Sequence, residues 1–237
     1  MLSINFPQFS EIRFWQNFKF SKLGFNDIIT VMSEQIYKKA MKLAEKYVSS
    51  DPSHGLDHIK RVLRLVEFIT KKEKTKQKID MESLRLATVL HDLGSGYQVK
   101  ELKKSKDKLK SGKHLEYGLK IAEDFLKKEK VPKKRIEKIK EIIAAHGTYG
   151  KEGCIEGDVL YDADLLDGIG VVGVLRKFTY GGQIGRDILG SLEFTKLKIK
   201  NRRFRTETGL ALGRKRIKKV KAWLKNFEEE LVGKDFL

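Results

Sequence analysis

Asp80-Met81-Glu82-Ser83-Leu84-Arg85-Leu86-Ala87-Thr88-Val89-Leu90-His91-Asp92-Leu93-Gly94 carries a start, a body and a stop for one helix. Asp80 is an N-cap residue, because its carboxylate can accept from an amide of the first turn that has no partner within the helix. Leu84, Ala87 and Leu90 recur at helical spacing, and Gly94 ends the pattern. The helix therefore terminates on a polar doublet, His91-Asp92. His91 follows Ala87 by four residues and Leu84 by seven, so it shares their inward face.

The same grammar repeats outward from this segment. Ser33 is a cap for a helix carrying Ile36, Ala40, Leu43, Ala44 and Val48, and Ser49 to Ser53 form a turn. A second helix is expected over Gly55–Lys72 with Val62, Leu65, Val66 and Ile69 inward. A Lys-rich loop, Lys100–Lys113, precedes a helix over His114–Lys130, and Pro132 opens another that ends at His146. Helical stretches follow at Val159–Gly168 and Val171–Phe178. A break at Gly181, Gly182 and Gly185 leads to a long final helix over Thr206–Glu230. No segment alternates with period two, so the expected fold is all-α, a compact multi-helix bundle.

The chain has 237 residues, 40% hydrophobic and 35% charged, which suits one large globular domain or one domain with an extension. One cysteine, Cys154, excludes an internal disulfide and a thiolate metal cluster. There is no transmembrane-length apolar run and no secretory pattern, so a reducing cytoplasmic location is expected. Residues 1–31 stand apart as an extension rich in aromatics, among them Phe6, Phe9, Phe14, Trp15, Phe18, Phe20 and Phe25. That extension reads either as a docking arm or as an upstream stretch before an alternative start at Met32, leaving residues 32–237 as the domain.

The net charge of +18 invites a polyanionic partner. Lys196–Lys221 holds twelve Lys/Arg against Glu207 alone, interleaved with Phe204, Leu210, Leu212 and Val220, and offers Arg202, Arg203 and Arg205 as substrate-facing candidates. Lys100–Lys113 reads more simply as a solvated loop. No dedicated nucleic-acid motif accompanies either stretch.

The histidines narrow the chemistry further. His58, His91 and His146 each fall on the inward side of a helix end, and Asp162-Ala163-Asp164-Leu165-Leu166-Asp167 places carboxylates inside an apolar helix. Burying several imidazoles and carboxylates together is costly unless a cation or a hydrogen-bond network compensates. A divalent ion accepting nitrogen and oxygen ligands does so directly.

These motifs resemble the HD superfamily of metal-dependent phosphohydrolases: His54-Gly55-Leu56-Asp57-His58, then His91-Asp92, then Asp162-Ala163-Asp164. Phe178-Thr179-Tyr180-Gly181-Gly182 and the C-terminal helix are similar to a bacterial and archaeal subgroup of small single-domain HD hydrolases. The resemblance covers about residues 32–237. It implies a metal set of His58, His91, Asp92 and Asp164, with Asp162 and Asp167 as alternatives for the last position. One or two divalent ions are implied: manganese, iron, cobalt, nickel, zinc or magnesium. Asp92 is then both ligand and partner of the nucleophilic water. His114 and His146 match positions that hold a second metal or the substrate phosphate, and Arg61 is a candidate cation for phosphoryl charge. His54 is either an orienting residue or a loop histidine. The run Leu93-Gly94-Ser95-Gly96-Tyr97 lacks the carboxylate that many relatives carry there, leaving the proton donor unassigned.

The implied reaction is hydrolysis of a phosphoester or phosphoanhydride in a nucleotide or similar small phosphorylated metabolite. The alternatives are an HD-type phosphodiesterase and a basic nucleic-acid or nucleotide-binding protein with a structural or residual metal site. Nothing in the sequence points to a membrane partner.

Overall fold

The computed structural model describes residues 26–48, 55–95, 113–146, 154–200 and 202–234, with the side chains of residues 26–33, 113 and 114 excepted. The chain divides into two units, Met1–Gln35 and Ile36–Leu237, and the second holds every side chain discussed below. The aromatics of residues 1–25 lie outside the described residues, as do His54 and nearly all of the Lys100–Lys113 loop.

Nine helices are present among the described residues, and no strand. They are α1 (Asn26–Tyr47), α2 (Leu56–Lys72), α3 (Met81–Leu90), α4 (Lys113–Lys128), α5 (Lys133–Ala145), α6 (Ile155–Ile169), α7 (Val171–Gln183), α8 (Ile188–Lys200) and α9 (Glu207–Leu231). The all-α expectation holds.

At the centre lies α6, packed against α2, α3, α5, α7 and α9. Its Val159, Leu160, Ala163 and Leu166 are fully buried and join Ile59, Val62, Val66 and Ile69 of α2 and Ile139, Ile142 and Ile143 of α5 in the main core. A helix surrounded on most sides must satisfy every polar group it carries. Glu156 accepts the backbone N–H of Asp80 at 2.9 Å and pairs with Lys138 at 3.0 Å. Asp162, fully buried, accepts the Thr206 amide at 2.8 Å and the Thr206 hydroxyl at 2.7 Å. Thr206 is itself the N-cap of α9, accepting from Gly209 N. Gly209 is required by a close approach, since a Cβ there would overlap the Asp162 carboxylate.

A smaller core holds the C-terminal part together. Val174, Leu192, Ile199, Val220 and Leu224 pack with Phe178, Trp223 and Phe227. The Trp223 and Phe227 rings stack at 5.2 Å, and Phe178 meets both edge-on.

Several boundaries differ from the sequence reading. Helix α1 is already formed at Asn26, so position 33 lies inside the helix and is not its start; no Gly or Pro interrupts residues 26–33. Helix α6 begins at Ile155, not Val159, with Glu156 and Asp158 in its first turn complementing the helix dipole. Helix α7 runs through Gly181-Gly182 to Gln183. There Gly181 is a contact residue, since a Cβ would overlap Ser191 Oγ of α8, and the chain reverses later, at Gly185, whose φ is +76°. Helix α8 is an addition to the expected set. Its inward residues are Ser191, Leu192, Thr195 and Ile199, so half of its buried face is hydroxyl-bearing and shows no apolar stripe. Thr195 satisfies its hydroxyl on the Ser191 carbonyl one turn back.

Candidate metal centre

Four helix segments deliver imidazoles and carboxylates to one point. His58 lies in the first turn of α2, His91 and Asp92 in the turn that ends α3, His146 directly after α5, and Asp164 in the middle of α6. Possible donor atoms of His58, His91 and Asp164 all lie within 4.8 Å of one another, as do those of His91, Asp92 and His146. The His91 ring centroid is 5.4 Å from that of His58 and 5.0 Å from that of His146.

Each imidazole is oriented through Nδ1. His58 Nδ1 faces Asp167 Oδ2 at 2.8 Å, His91 Nδ1 faces the Thr88 carbonyl at 2.7 Å, and His146 Nδ1 faces the Ile143 carbonyl. These partners only accept, so each Nδ1 carries the hydrogen and a neutral ring has its Nε2 lone pair bare. The exposed lone pairs meet carboxylates. His58 Nε2 is 3.4 Å from Asp92 Oδ2 and 3.3 Å from Asp164 Oδ1, and His91 Nε2 is 3.6 Å from Asp92 Oδ2. His91 Nε2 is buried without a hydrogen-bond partner. Lone pairs and carboxylate oxygens aimed at a common space repel unless a proton or a cation lies among them. The donor set fits a divalent ion with mixed N/O ligation.

The charge pattern agrees. Burial by itself depresses His58, but Asp164, Asp167 and Asp92 outweigh it and push its pKa up to about 10. Burial opposes ionisation of Asp164 and Asp92; the His58 imidazole holds Asp164 down to about 2, and His91 and His58 hold Asp92 well below the usual range. Burial and the neighbouring His91 lower His146, keeping it a neutral acceptor.

Behind the cluster sits Asp167, 3% exposed. Its carboxylate takes His58 Nδ1, Arg61 Nε at 2.7 Å, Arg61 Nη2 at 3.1 Å, and Arg176 Nη1. Arg61 is thus placed on Asp167, with no described contact to the donor cluster. Arg176 has no sequence signal: it lies on another helix, nine residues beyond Asp167. Asp162 faces Thr206 and is turned away from the cluster, whereas Asp164 joins it. The backbone of His114 lies in α4, but its side chain is outside the described residues. Of the C-terminal arginines, Arg205 donates to the Ala145 carbonyl and covers the Tyr161 ring at 3.8 Å, a structural clamp. Arg202 donates to the Lys198 carbonyl.

Residues 55–169 match the HD domain family. YpgQ of Bacillus subtilis is 28% identical over 217 residues, covering 83% of this chain and 98% of its own length. Among solved structures, Lin1889 of Listeria innocua superposes with a TM-score of 0.61 at 25% identity, over 84% of this chain and 97% of its own. A predicted HD superfamily hydrolase from an uncultured Thermotogales bacterium gives 0.57 at 21% identity, over 86% and 98%. YpgQ solved in complex with ADP gives 0.59 at 20%, over 84% and 96%.

Proposed function

Because the chain belongs to the HD superfamily, we propose that it is a metal-dependent phosphohydrolase acting on a nucleotide or similar small phosphorylated metabolite. The observation that carries this reading is the buried, unpartnered Nε2 of His91, aimed at the Asp92 carboxylate while its own Nδ1 is committed to Thr88.

His58, His91, Asp92 and Asp164 would hold the first ion. A divalent ion bound there supplies a Lewis acid for a phosphoryl oxygen and brings the pKa of water to about 7. The chain's own groups do the rest. Asp92, partly open to solvent, keeps an oxygen free to accept a proton from the attacking water. His146, neutral and oriented by Ile143, presents Nε2 beside Asp92 to a second ion or to a protonated phosphoryl oxygen. Asp167 fixes the His58 ring and supports its basicity, and Arg61 and Arg176 fix Asp167. Arg61 is therefore read as a positioning residue.

The ADP complex of the Bacillus subtilis relative supports a nucleotide-class substrate. Among the described residues no helix is long and apolar enough to cross a membrane. A phosphatase panel tests the reading. Nucleoside mono-, di- and triphosphates and a phosphodiester are incubated with manganese, with and without chelator. Chelator-sensitive release of phosphate or pyrophosphate, abolished by His91→Ala and by Asp92→Ala, is expected. Full activity and full metal content in both variants would overturn it. A preference for the diester would move the substrate class to phosphodiesters.

A further inference from the structure

A groove of about 530 Å3 lies among α2, the start of α7 and α9. Its walls include Asp167 but none of His58, His91, Asp92, Asp164 or His146, so it is separate from the metal cluster. The volume is within the range of about 300–1,000 Å3 that small-molecule sites occupy.

Its lining combines two chemistries. Arg61, Arg64, Arg216 and Lys219 contribute four cations. The one carboxylate among them, Asp167, is already matched by Arg61 and by Arg176. Arg64 and Lys219 are exposed, and no ion pair or hydrogen bond joins them to other described residues. Between the cations lies an apolar floor that includes Leu65 and Leu212, with Phe68 44% exposed and Val172 47% exposed. An inorganic anion alone would leave that floor in water, and an apolar molecule alone would desolvate Arg64 and Lys219 without compensation. The complementary ligand carries phosphate on a flat apolar body.

The geometry points to this groove as a second ligand site, for a nucleotide-class phosphorylated compound whose ring lies on Phe68 and Val172 and whose phosphates meet Arg64 and Lys219. Arg61 joins the groove to the metal cluster. Its Nε and Nη2 hold Asp167 against His58, whereas Nη1 has no partner among the described residues. The proposal goes beyond the hydrolase reading and does not depend on it.

The test separates the two sites. The full-length Asp92→Ala protein is kept in chelator, which disables metal-dependent binding at the cluster, and is titrated with N-methylanthraniloyl-ADP by fluorescence. Saturable binding to one site is expected, weakening as salt rises. Arg64→Glu combined with Lys219→Glu, two exposed changes, is expected to weaken it by at least about tenfold, the loss of about 1.4 kcal/mol of charge-assisted contact. Phe68→Ala should weaken it independently, and unchanged melting temperatures show that the variants fold. Absence of saturable binding in chelator, or binding unaltered by the double reversal, overturns the proposal. So does a groove that binds no probe but whose charge reversal converts a dimer to a monomer in sedimentation, which would make this face an interface between copies. Neither result bears on chelator-sensitive hydrolysis by the unmodified chain.

Discussion

Asp167→Asn is the most informative single change, because one buried carboxylate receives three partners. Its Oδ2 takes His58 Nδ1 at 2.8 Å, and its Oδ1 takes Arg61 Nε at 2.7 Å. An asparagine has the same shape but only one acceptor oxygen, and its NH2 group faces guanidinium donors. If the amide oxygen turns to His58, Arg61 and Arg176 lose their anion; if it turns to the arginines, a donor confronts His58 Nδ1. Breaking a buried ion pair by removing one member costs about 3–5 kcal/mol, and the partial exposure of Arg61 places this case near the lower figure. Loss of the hydrogen bond that orients a ligating imidazole weakens metal affinity about 10–100-fold, or about 1.4–2.7 kcal/mol. Manganese titration calorimetry and urea denaturation of the metal-free protein read the two effects separately. A double-mutant cycle with His58→Ala isolates the mechanism: in that background Asp167→Asn should cost little further metal affinity, because the residue through which it acts is gone. Manganese affinity within about twofold of the parent, with full stability, would refute the argument.

Other outcomes follow from the same geometry. Saturating manganese should stabilise the protein by about 2.7 kcal/mol at 100 times Kd, visible as a raised melting temperature, and Asp92→Ala should abolish the shift. Gly209→Ala forces a methyl group into the Asp162 carboxylate and should cost about 1–3 kcal/mol in urea denaturation while leaving manganese affinity intact; a change in affinity would place Asp162 in the metal set. Lys177 is enclosed beside Arg176, Arg202 and Lys198, and burial followed by those cations lowers it from 10.5 to about 8. Between those two values the unfolded chain holds the proton that the folded chain has released, so stability rises with pH across that window. Lys177→Met should therefore gain on the parent at pH 7 relative to pH 10, by up to about 3 kcal/mol; an advantage independent of pH would show that the lysine is not desolvated.

The inward stripe of α2, the cap of α3 at Asp80, the proline that opens α5 and the carboxylate-bearing helix α6 are local features, and each is visible as periodicity or end chemistry along the chain. So is the placement of His58, His91 and His146 at helix ends on an inward face. Helix α8 is illegible for a physical reason: half of its buried side is Ser191 and Thr195, and the Thr195 hydroxyl is satisfied by a backbone bond that no hydropathy pattern records. Gly181-Gly182 misleads in the same way, since a glycine required for close approach and one required for a turn look identical until the neighbouring helix is in place.

The residues alone nominate Asp162, Asp164 and Asp167, three carboxylates within six residues; the family resemblance favours Asp164 as the ligand and leaves the other two as alternatives. Tertiary structure separates them by what each one meets. Asp164 faces the imidazoles, Asp167 braces His58 between two arginines, and Asp162 caps the distant helix α9. Helical rotation of about 100° per residue sends the three in different directions. Which direction holds imidazoles, guanidiniums or amides depends on chain segments tens of residues away, and local sequence carries no record of them.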